Sequence, residues 1–330
     1  MRLRTCLASH EIWVILTPFL LFMPVLSGHA LFWGTPGLQF HPWHVFAWEM
    51  LKSGQVPLWN PLSGAGAPLL ANYQSALFYP PNGVYFLLAA LGGEVAMAWG
   101  MGFLATAHLA LAGVGMVRLT RELGLNTLAQ MVSGLAFGLS GYLVARAHFL
   151  SINVTVAWLP WILWAGIGNR KGSFHRLAFF VTMLLLAGHA QTAWYTLIFA
   201  GAWVLFWTWH QYPLSDIQNR RAFVSALLSF SLAVLFAVIL AAVQLMPTAE
   251  LLSQSQRSGG ADYEFVMTYS FWPWRWIGLL APGFFGSPVT GDYWGYGNFW
   301  EDAVYIGLLP FFLALRSLPG VFKNQNIELR

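Results

Sequence analysis

Charge is what this sequence has least of. Asp, Glu, Lys and Arg make up 8% of 330 residues, against about 25% in an ordinary soluble domain. So little polar surface cannot coat a globule of this size, which excludes a soluble enzyme. Cysteine is nearly absent as well. Cys6 stands alone, so there is no internal disulfide and no cysteine-based metal centre. The 16 Lys and Arg exceed the 12 Asp and Glu by a net +4, but they are scattered without a basic stripe, which argues against a nucleic-acid partner. No phosphate-binding loop, zinc-ligand spacing or nucleophile elbow is present, and no internal repeat or second soluble domain is visible.

What is there is apolar. Hydrophobic residues are 58% of the chain and aromatics 17%, with 18 Trp. This composition predicts an all-α, polytopic integral membrane bundle forming a single transmembrane domain over 1–330. Apolar runs of spanning length lie at Ile12–Trp33, Val95–Val117, Leu128–Ala145, Ile152–Gly168, Ala222–Met246 and Ala303–Leu315. The first is read as an uncleaved anchor, because no small-x-small cleavage site follows it cleanly. The block Leu177–Trp209 is too long for one span, and a turn near Gly188–Gln191 divides it into two.

Basic residues choose among topologies, since cytoplasmic loops collect them. Eight spans with both termini cytoplasmic place Arg2, Arg4, Arg118, Arg121, Arg170, Lys171, Arg176, Arg220, Arg221, Arg316, Lys323 and Arg330 inside. Only Lys52, Arg146, Arg257 and Arg275 then lie outside. The segment Leu77–Gly92, interrupted by Pro80-Pro81-Asn82-Gly83, is read as re-entrant or interfacial, because a further span there would reverse this bias. Two large extracytoplasmic loops result, 34–94 and 247–302. They hold eight of the twelve acids: Glu49, Glu94, Glu250, Asp262, Glu264, Asp292, Glu301 and Asp302. Any chemistry belongs on that face of the plasma membrane.

In the first loop, Val45, Trp48 and Leu51 recur at helical spacing and predict a short interfacial helix. Trp43, Trp48, Trp59, Tyr73, Phe78 and Tyr79 set amphipathic rings at headgroup depth. The loop is either an anchor resting on the bilayer or a platform for a lipid or sugar. In the second case Trp59 and Tyr79 stack, and Asn60, Asn72 and Gln74 meet hydroxyls. Ser53-Gly54-Gln55-Val56-Pro57-Leu58-Trp59-Asn60-Pro61, Gly66-Ala67-Pro68, Ala71-Asn72-Tyr73-Gln74 and Phe78-Tyr79-Pro80-Pro81-Asn82 make this region resemble the YfhO family of bacterial membrane proteins. Gly141-Tyr142 with His148, Ala157-Trp158-Leu159-Pro160, Ala187-Gly188-His189-Ala190-Gln191 and Tyr305-Ile306-Gly307-Leu308-Leu309-Pro310 continue the resemblance in order.

That resemblance implies a GT-C-type glycosyltransferase fold. Such enzymes are integral membrane proteins that take sugar from a polyprenyl-phosphate carrier on the outer face, here for a cell-envelope acceptor. It also implies an N-terminal part or truncated member, since family members are typically longer. One departure stands out. Enzymes of that superfamily carry an acid early in the first loop, whereas Gly34-Thr35-Pro36-Gly37-Leu38-Gln39-Phe40-His41 has none.

The candidate bases are therefore Glu49, Glu301, Asp302 and, as an imidazole titrating near neutrality, His41. Each has a plainer reading. Glu49 suits the solvated face of an amphipathic helix. Glu301-Asp302 is either charge at a helix end or a Mg²⁺ or Mn²⁺ site completed by phosphate oxygens. Arg146 with His148 either contacts a lipid phosphate or snorkels to water. His189 and Gln191 interrupt an apolar run, and polar groups at such depth face protein or a cavity. His108 reads as a helix–helix hydrogen bond and Gly134/Gly138 as packing. Asn153-Val154-Thr155 is a glycosylation sequon by letter only. Other expectations remain open: a non-catalytic fragment or structural partner, and a lipid-linked sugar transporter, although neither intramembrane charge nor an inverted repeat supports transport. The two loops are expected to dock on each other and form one aromatic-lined groove.

Overall fold

The computed structural model describes residues 9–31, 34–167, 172–212, 216–260, 262–268 and 270–323. Arg2, Arg4, Cys6, Trp33, Gly168, Arg170, Lys171 and the tail 324–330 lie outside the described residues, as do the side chains of Arg257 and Lys323. Helix α1 (Ser9–Leu21) continues into a 3-10 turn at Met23–Ser27, where Pro24 cannot donate to an α-helical ladder. At 1.5 and 2.0 Å per residue the two together reach about 30 Å, the thickness of a hydrocarbon core. The short helix predicted from Val45, Trp48 and Leu51 is α2 (His41–Lys52). Next comes a two-residue antiparallel ladder, β1 (Trp59–Asn60) with β2 (Ala67–Pro68).

Helix α3 (Gly83–Glu122) is two helices meeting at a sharp kink, since Gly92 and Gly93 are both non-helical and Gly93 has φ +69°. A Cβ on Gly100 would run into the Leu88 side chain, so the first piece folds back along the second. The piece that ends at Gly92 is thus separate from the run expected at Val95–Val117. Beyond α3 lie α4 (Thr127–Gly138), α5 (Gly141–Ala145), α6 (Leu150–Val156) and α7 (Leu159–Gly166). The apolar runs expected at 128–145 and 152–168 are thus both broken, one at Leu139–Ser140 and the other ahead of Pro160. Then follow α8 (Ser173–Leu186) and α9 (Ala190–Gln211), parted at Gly188 with φ +92°, where the sequence located the turn. Helices α10 (Ile217–Leu240) and α11 (Ala242–Ser253) run on almost continuously. The last elements are α12 (Tyr263–Met267), α13 (Phe299–Asp302) and α14 (Leu308–Lys323). The final span was expected from Ala303. Residues 303–307 are instead non-helical, and the helix starts only at Leu308.

Among the described residues, three helical stretches are long and apolar enough to cross a membrane: Pro80–Glu122, Thr127–Ala145 and Ile217–Leu240. The protein is an all-α membrane protein. Its outer faces on α9 and α10 expose Trp194, Ile198, Phe199, Phe206, Leu228, Leu232 and Leu235, a surface that suits acyl chains and not water.

Glycine sets the closest approach in the bundle. A Cβ on Gly138 would lie 2.8 Å from the Leu109 carbonyl oxygen and 3.2 Å from Gly113 Cα, so α3 and α4 pack backbone to backbone. The largest core cluster joins Trp158, Ile162, Phe180, Val181 and Leu184 on α7 and α8 and the segment just before α7. At one end of the bundle, Glu11 is fully buried between Arg121 at 2.8 Å and Arg118 at 3.2 Å. The start of α1 and the end of α3 therefore lie side by side.

Candidate functional site

At the opposite end, the chain between α5 and α6 turns back, and Arg146 sits in that turn with only 5% of its surface exposed. Two polar neighbours converge on it. Its Nη2 lies 3.3 Å from Glu301, its guanidinium stacks 4.1 Å over the Tyr142 ring, and its Nη1 is buried without a partner. Across from it, His189 caps α9. The Thr192 N–H donates to His189 Nδ1 at 3.3 Å, and the Thr192 hydroxyl lies 2.7 Å from the same nitrogen. With Nδ1 accepting, a neutral ring carries its proton on Nε2. Tyr142 shares Thr192 as a hydrogen-bond partner, which links the two sides of the cluster.

His148 lies beside Arg146, 5.3 Å from the Trp300 ring and 4.1 Å from Phe149. Burial first, and then the Arg146 charge, hold the pKa values of both His148 and His189 below the ordinary imidazole value. Both rings are therefore neutral at pH 7; His189 can donate from Nε2, whereas the N–H of His148 is bonded to the Ala145 carbonyl.

The second loop delivers Glu301 through α13, whose N-terminus is capped by Asn298. Asp302, one residue on, faces elsewhere. Arg275 approaches it at 2.9 Å and the Tyr293 hydroxyl donates to it at 2.7 Å, while Arg275 also donates to the Tyr296 carbonyl. This pair is sealed, with 1% of the arginine side chain and 5% of the aspartate exposed. Gly278 permits the approach: a Cβ there would lie 3.0 Å from the Asp302 carbonyl oxygen. Residues 303–307 then run past α5, where the Gly141 N–H donates to the Tyr305 carbonyl at 2.6 Å. That bond explains why Ala303–Gly307 is not helical.

Glu301 and Asp302 were candidates for a Mg²⁺ or Mn²⁺ site. They point to two different guanidinium groups, and no set of three or more His, Cys, Asp or Glu comes together among the described residues. As a donor set the pair does not fit a divalent cation, because each carboxylate is already matched by an arginine.

The first-loop candidates do not join this cluster. Glu49 is exposed and forms an i,i+3 pair with Lys52 at 2.7 Å, and His41 is bonded to the Glu94 carbonyl at 3.1 Å. Asn60 accepts from the Leu62 N–H and Asn72 from the Gln74 N–H, so both amide oxygens close turns. Gln74 accepts from Gln39 at 2.9 Å. Trp59 is exposed, with Gly66 against its ring. Tyr79 does not lie at headgroup depth. It is fully buried, with its hydroxyl 2.6 Å from His108 Nε2 and accepting from Trp158 Nε1 at 2.9 Å. His108 thus bonds the loop and not a neighbouring helix. Gln191 is exposed and donates to the Tyr195 hydroxyl. Asn153 is buried and donates to the Ala105 carbonyl, so it is no glycosylation acceptor.

The loops do touch. Thr248 donates to the Ala71 carbonyl at 3.0 Å, beside Gln244, which donates to the Leu70 carbonyl at 2.9 Å. The Tyr73 hydroxyl donates to the Leu185 carbonyl, seating the first loop on the turn at Gly188. The aromatic run of the second loop packs instead on His148 and Phe149, so these contacts do not form one shared aromatic groove. Reasoning from sequence missed Tyr142, Thr192, Arg275 and Tyr293. The available signal was Arg275, a lone cation within Trp272-Pro273-Trp274-Arg275-Trp276.

No curated protein and no solved structure matches the chain. The sequence profile of the family described as "Bacterial membrane protein YfhO" matches residues 44–318. That stretch takes in the whole charged cluster and both segments that build it, and the chain belongs to the YfhO family of bacterial membrane proteins.

Proposed function

We propose that this protein is an eight-span, single-domain membrane glycosyltransferase of the plasma membrane. In this reading both termini are cytoplasmic, and sugar passes from a polyprenyl-phosphate carrier to a cell-envelope acceptor at the outer face. The observation that carries the reading is the meeting of Arg146, His148, His189 and Glu301 at one end of the bundle. The pairing of Glu11 with Arg118 and Arg121 supports the topology, since it sets the start of the first span beside the end of the second.

Arg146 has one guanidinium nitrogen on Glu301 and another without a partner. The phosphodiester monoanion of the sugar carrier, entering here, is held by the free nitrogen and competes with Glu301 for the other. The neutral His189 ring adds an N–H donor at Nε2, and His148 packs beside the site against Trp300. Glu301, displaced, becomes free to take a proton. An acceptor hydroxyl oxygen then bonds to the anomeric carbon, and the bond from that carbon to the phosphate oxygen breaks. The electron pair leaves on polyprenyl phosphate, facing Arg146, and the hydroxyl proton goes to the Glu301 carboxylate.

The test compares glycolipids and envelope sugars from cells with and without the gene, complemented by Arg146→Gln or Glu301→Gln. Loss of one sugar-bearing species, restored by the natural chain and by neither variant, is expected. Identical sugar profiles in cells with and without the inserted protein overturn the reading. One observation favours a second reading, that of a non-catalytic membrane protein: Glu49, Glu301 and Asp302 are all already ion-paired. That reading is supported if Glu301→Gln restores the profile fully.

A further inference from the structure

Between the first loop and the bundle, α2 buries a histidine that the Arg146 cluster does not use. His44 is 1% exposed, and its ring packs edge-on against Tyr85 at 5.1 Å. Its Nδ1 lies 2.8 Å from the Phe40 carbonyl, four residues back along the chain. A carbonyl only accepts, so Nδ1 carries the proton and Nε2 presents a lone pair. Burial pushes the ring pKa down to about 4, which keeps the ring uncharged at pH 7. Nε2 is buried with no partner in the protein. An acceptor taken out of water and left without a donor is costly, and one O–H bond removes that cost.

His44 lines a small cavity with about 10 Å³ of space for the centre of a water-sized atom. That is room for one oxygen. The other polar groups on its wall belong to Gln74, Asn82 and Ser151. Gln74 accepts from Gln39 through Oε1, and Asn82 donates to the Ala76 carbonyl through Nδ2 at 3.1 Å. An amide nitrogen donor on Gln74 and an amide oxygen acceptor on Asn82 are left. An oxygen in this space can donate to His44 Nε2 and Asn82 and accept from Ser151 or Gln74, which is the ordinary valence of an ordered buried water. The place matters as well. Ser151 opens α6 just after the turn that carries Arg146 and His148, and Ala187, on the same wall, stands two residues before His189.

We propose that this cavity is a binding site for a single O–H donor, held on His44 Nε2 between α2, α6 and the turn at Gly188. Two sources supply that chemistry: a resident water, or one hydroxyl of a carbohydrate reaching in past the exposed Gln74. The lining selects it. No carboxylate stands there to hold a cation, an anion would face the His44 lone pair, and an apolar group would leave that lone pair unmatched. Either occupant ties the first loop to both segments that carry the Arg146 cluster. The site itself does not depend on the sugar-transfer reading, which bears only on the carbohydrate source.

The test is nuclear magnetic resonance of the full chain in lipid nanodiscs, isotopically labelled at the histidine nitrogens, with His44→Gln to identify the His44 signals. The natural chain should show magnetisation transfer from an O–H proton to His44 Nε2, and an Nε2 resonance shifted away from that of an unbonded imidazole nitrogen. Ser151→Val closes the space while sparing His44, and should abolish both signs with the Nδ1 bond to Phe40 intact. Titration with methyl glucoside separates the sources: a further shift at Nε2 assigns a carbohydrate hydroxyl, and no further shift assigns water. An unbonded Nε2 in the natural chain, with and without methyl glucoside, overturns the proposal, and this measurement decides by itself should Ser151→Val fail to insert. Unchanged signals in an inserted Ser151→Val also overturn it, because the donor would then lie outside this cavity. No sugar transfer is assayed, so a negative envelope-sugar profile leaves the result standing.

Discussion

The two ends of the bundle use the same residue types to opposite effect. At one end a single carboxylate, Glu11, is fully buried beneath two arginines that keep 26% and 37% of their side chains in contact with solvent. His10 and Gln130 extend this network, with Arg121 3.2 Å from the His10 ring. At the other end the arginine is the buried partner: Arg146 is nearly sealed while Glu301 keeps 36% of its side chain exposed. A buried carboxylate ringed by cations ties helices together and has no capacity left for a ligand. A buried cation with a half-open carboxylate and a spare donor can exchange its partner. The contrast separates a structural charge cluster from one suited to binding an anion.

Breaking the structural end should have the largest effect. R118Q/R121Q strands Glu11 in the interior and should destabilise the bundle by about 3–5 kcal/mol, read as a lowered melting temperature in detergent. Glu11→Gln should cost clearly less, because the arginines left behind still reach water. Equal losses would remove the asymmetry on which the comparison rests.

Within the Arg146 end, Arg275→Gln leaves Asp302 buried and uncompensated. The expected loss is also about 3 kcal/mol, but confined to the second loop. Limited proteolysis should cut between 254 and 307 while the helical circular dichroism signal persists. Unfolding of the whole bundle would show that this pair supports more than its loop.

Acidification sharpens the same contrast with a smaller effect. His148 and His189 have folded pKa values below the unfolded value, so the unfolded chain binds protons first as pH falls below about 6.5. The stability they contribute is intact above that pH and is lost on the way down through the folded values. The melting temperature should decline from pH 7 to 5, and H148Q/H189Q should flatten that slope. An unchanged slope would mean that neither ring belongs to the buried cluster.

Smallest of all is Glu49→Gln. Its pair with Lys52 is exposed at both ends, and such pairs contribute about 0–1 kcal/mol. Activity and melting temperature should both match those of the natural chain.

Much of the helix pattern was legible because apolar length and glycine placement are local signals. The turn at Gly188 follows from an apolar block too long for one span, and its φ of +92° is open to glycine at no steric cost. The short helix at 41–52 follows from the helical spacing of Val45, Trp48 and Leu51. The separate piece ending at Gly92 follows from the bias of basic residues, and the helix breaks there because Gly92 and Gly93 leave helical geometry. Tyr79 was set at the membrane surface by its aromatic character alone. A hydroxyl partner deep in the bundle, His108, is 29 residues away and gives no local sign.

The candidate site divides in the same way. Composition and the sparse charges by themselves determined that the chain is an all-α membrane protein, and that its scarce polar residues between spans are the ones to examine. Apolar burial and backbone satisfaction in lipid leave a chain of this composition few other choices. Which carboxylate meets which arginine was decided only by tertiary structure. Glu301 and Asp302 are neighbours in sequence, yet the short helix at 299–302 turns one toward Arg146, 155 residues away, and the other toward Arg275. Coulomb energy depends on distance through space and on desolvation, and neither is written in the order of residues along the chain.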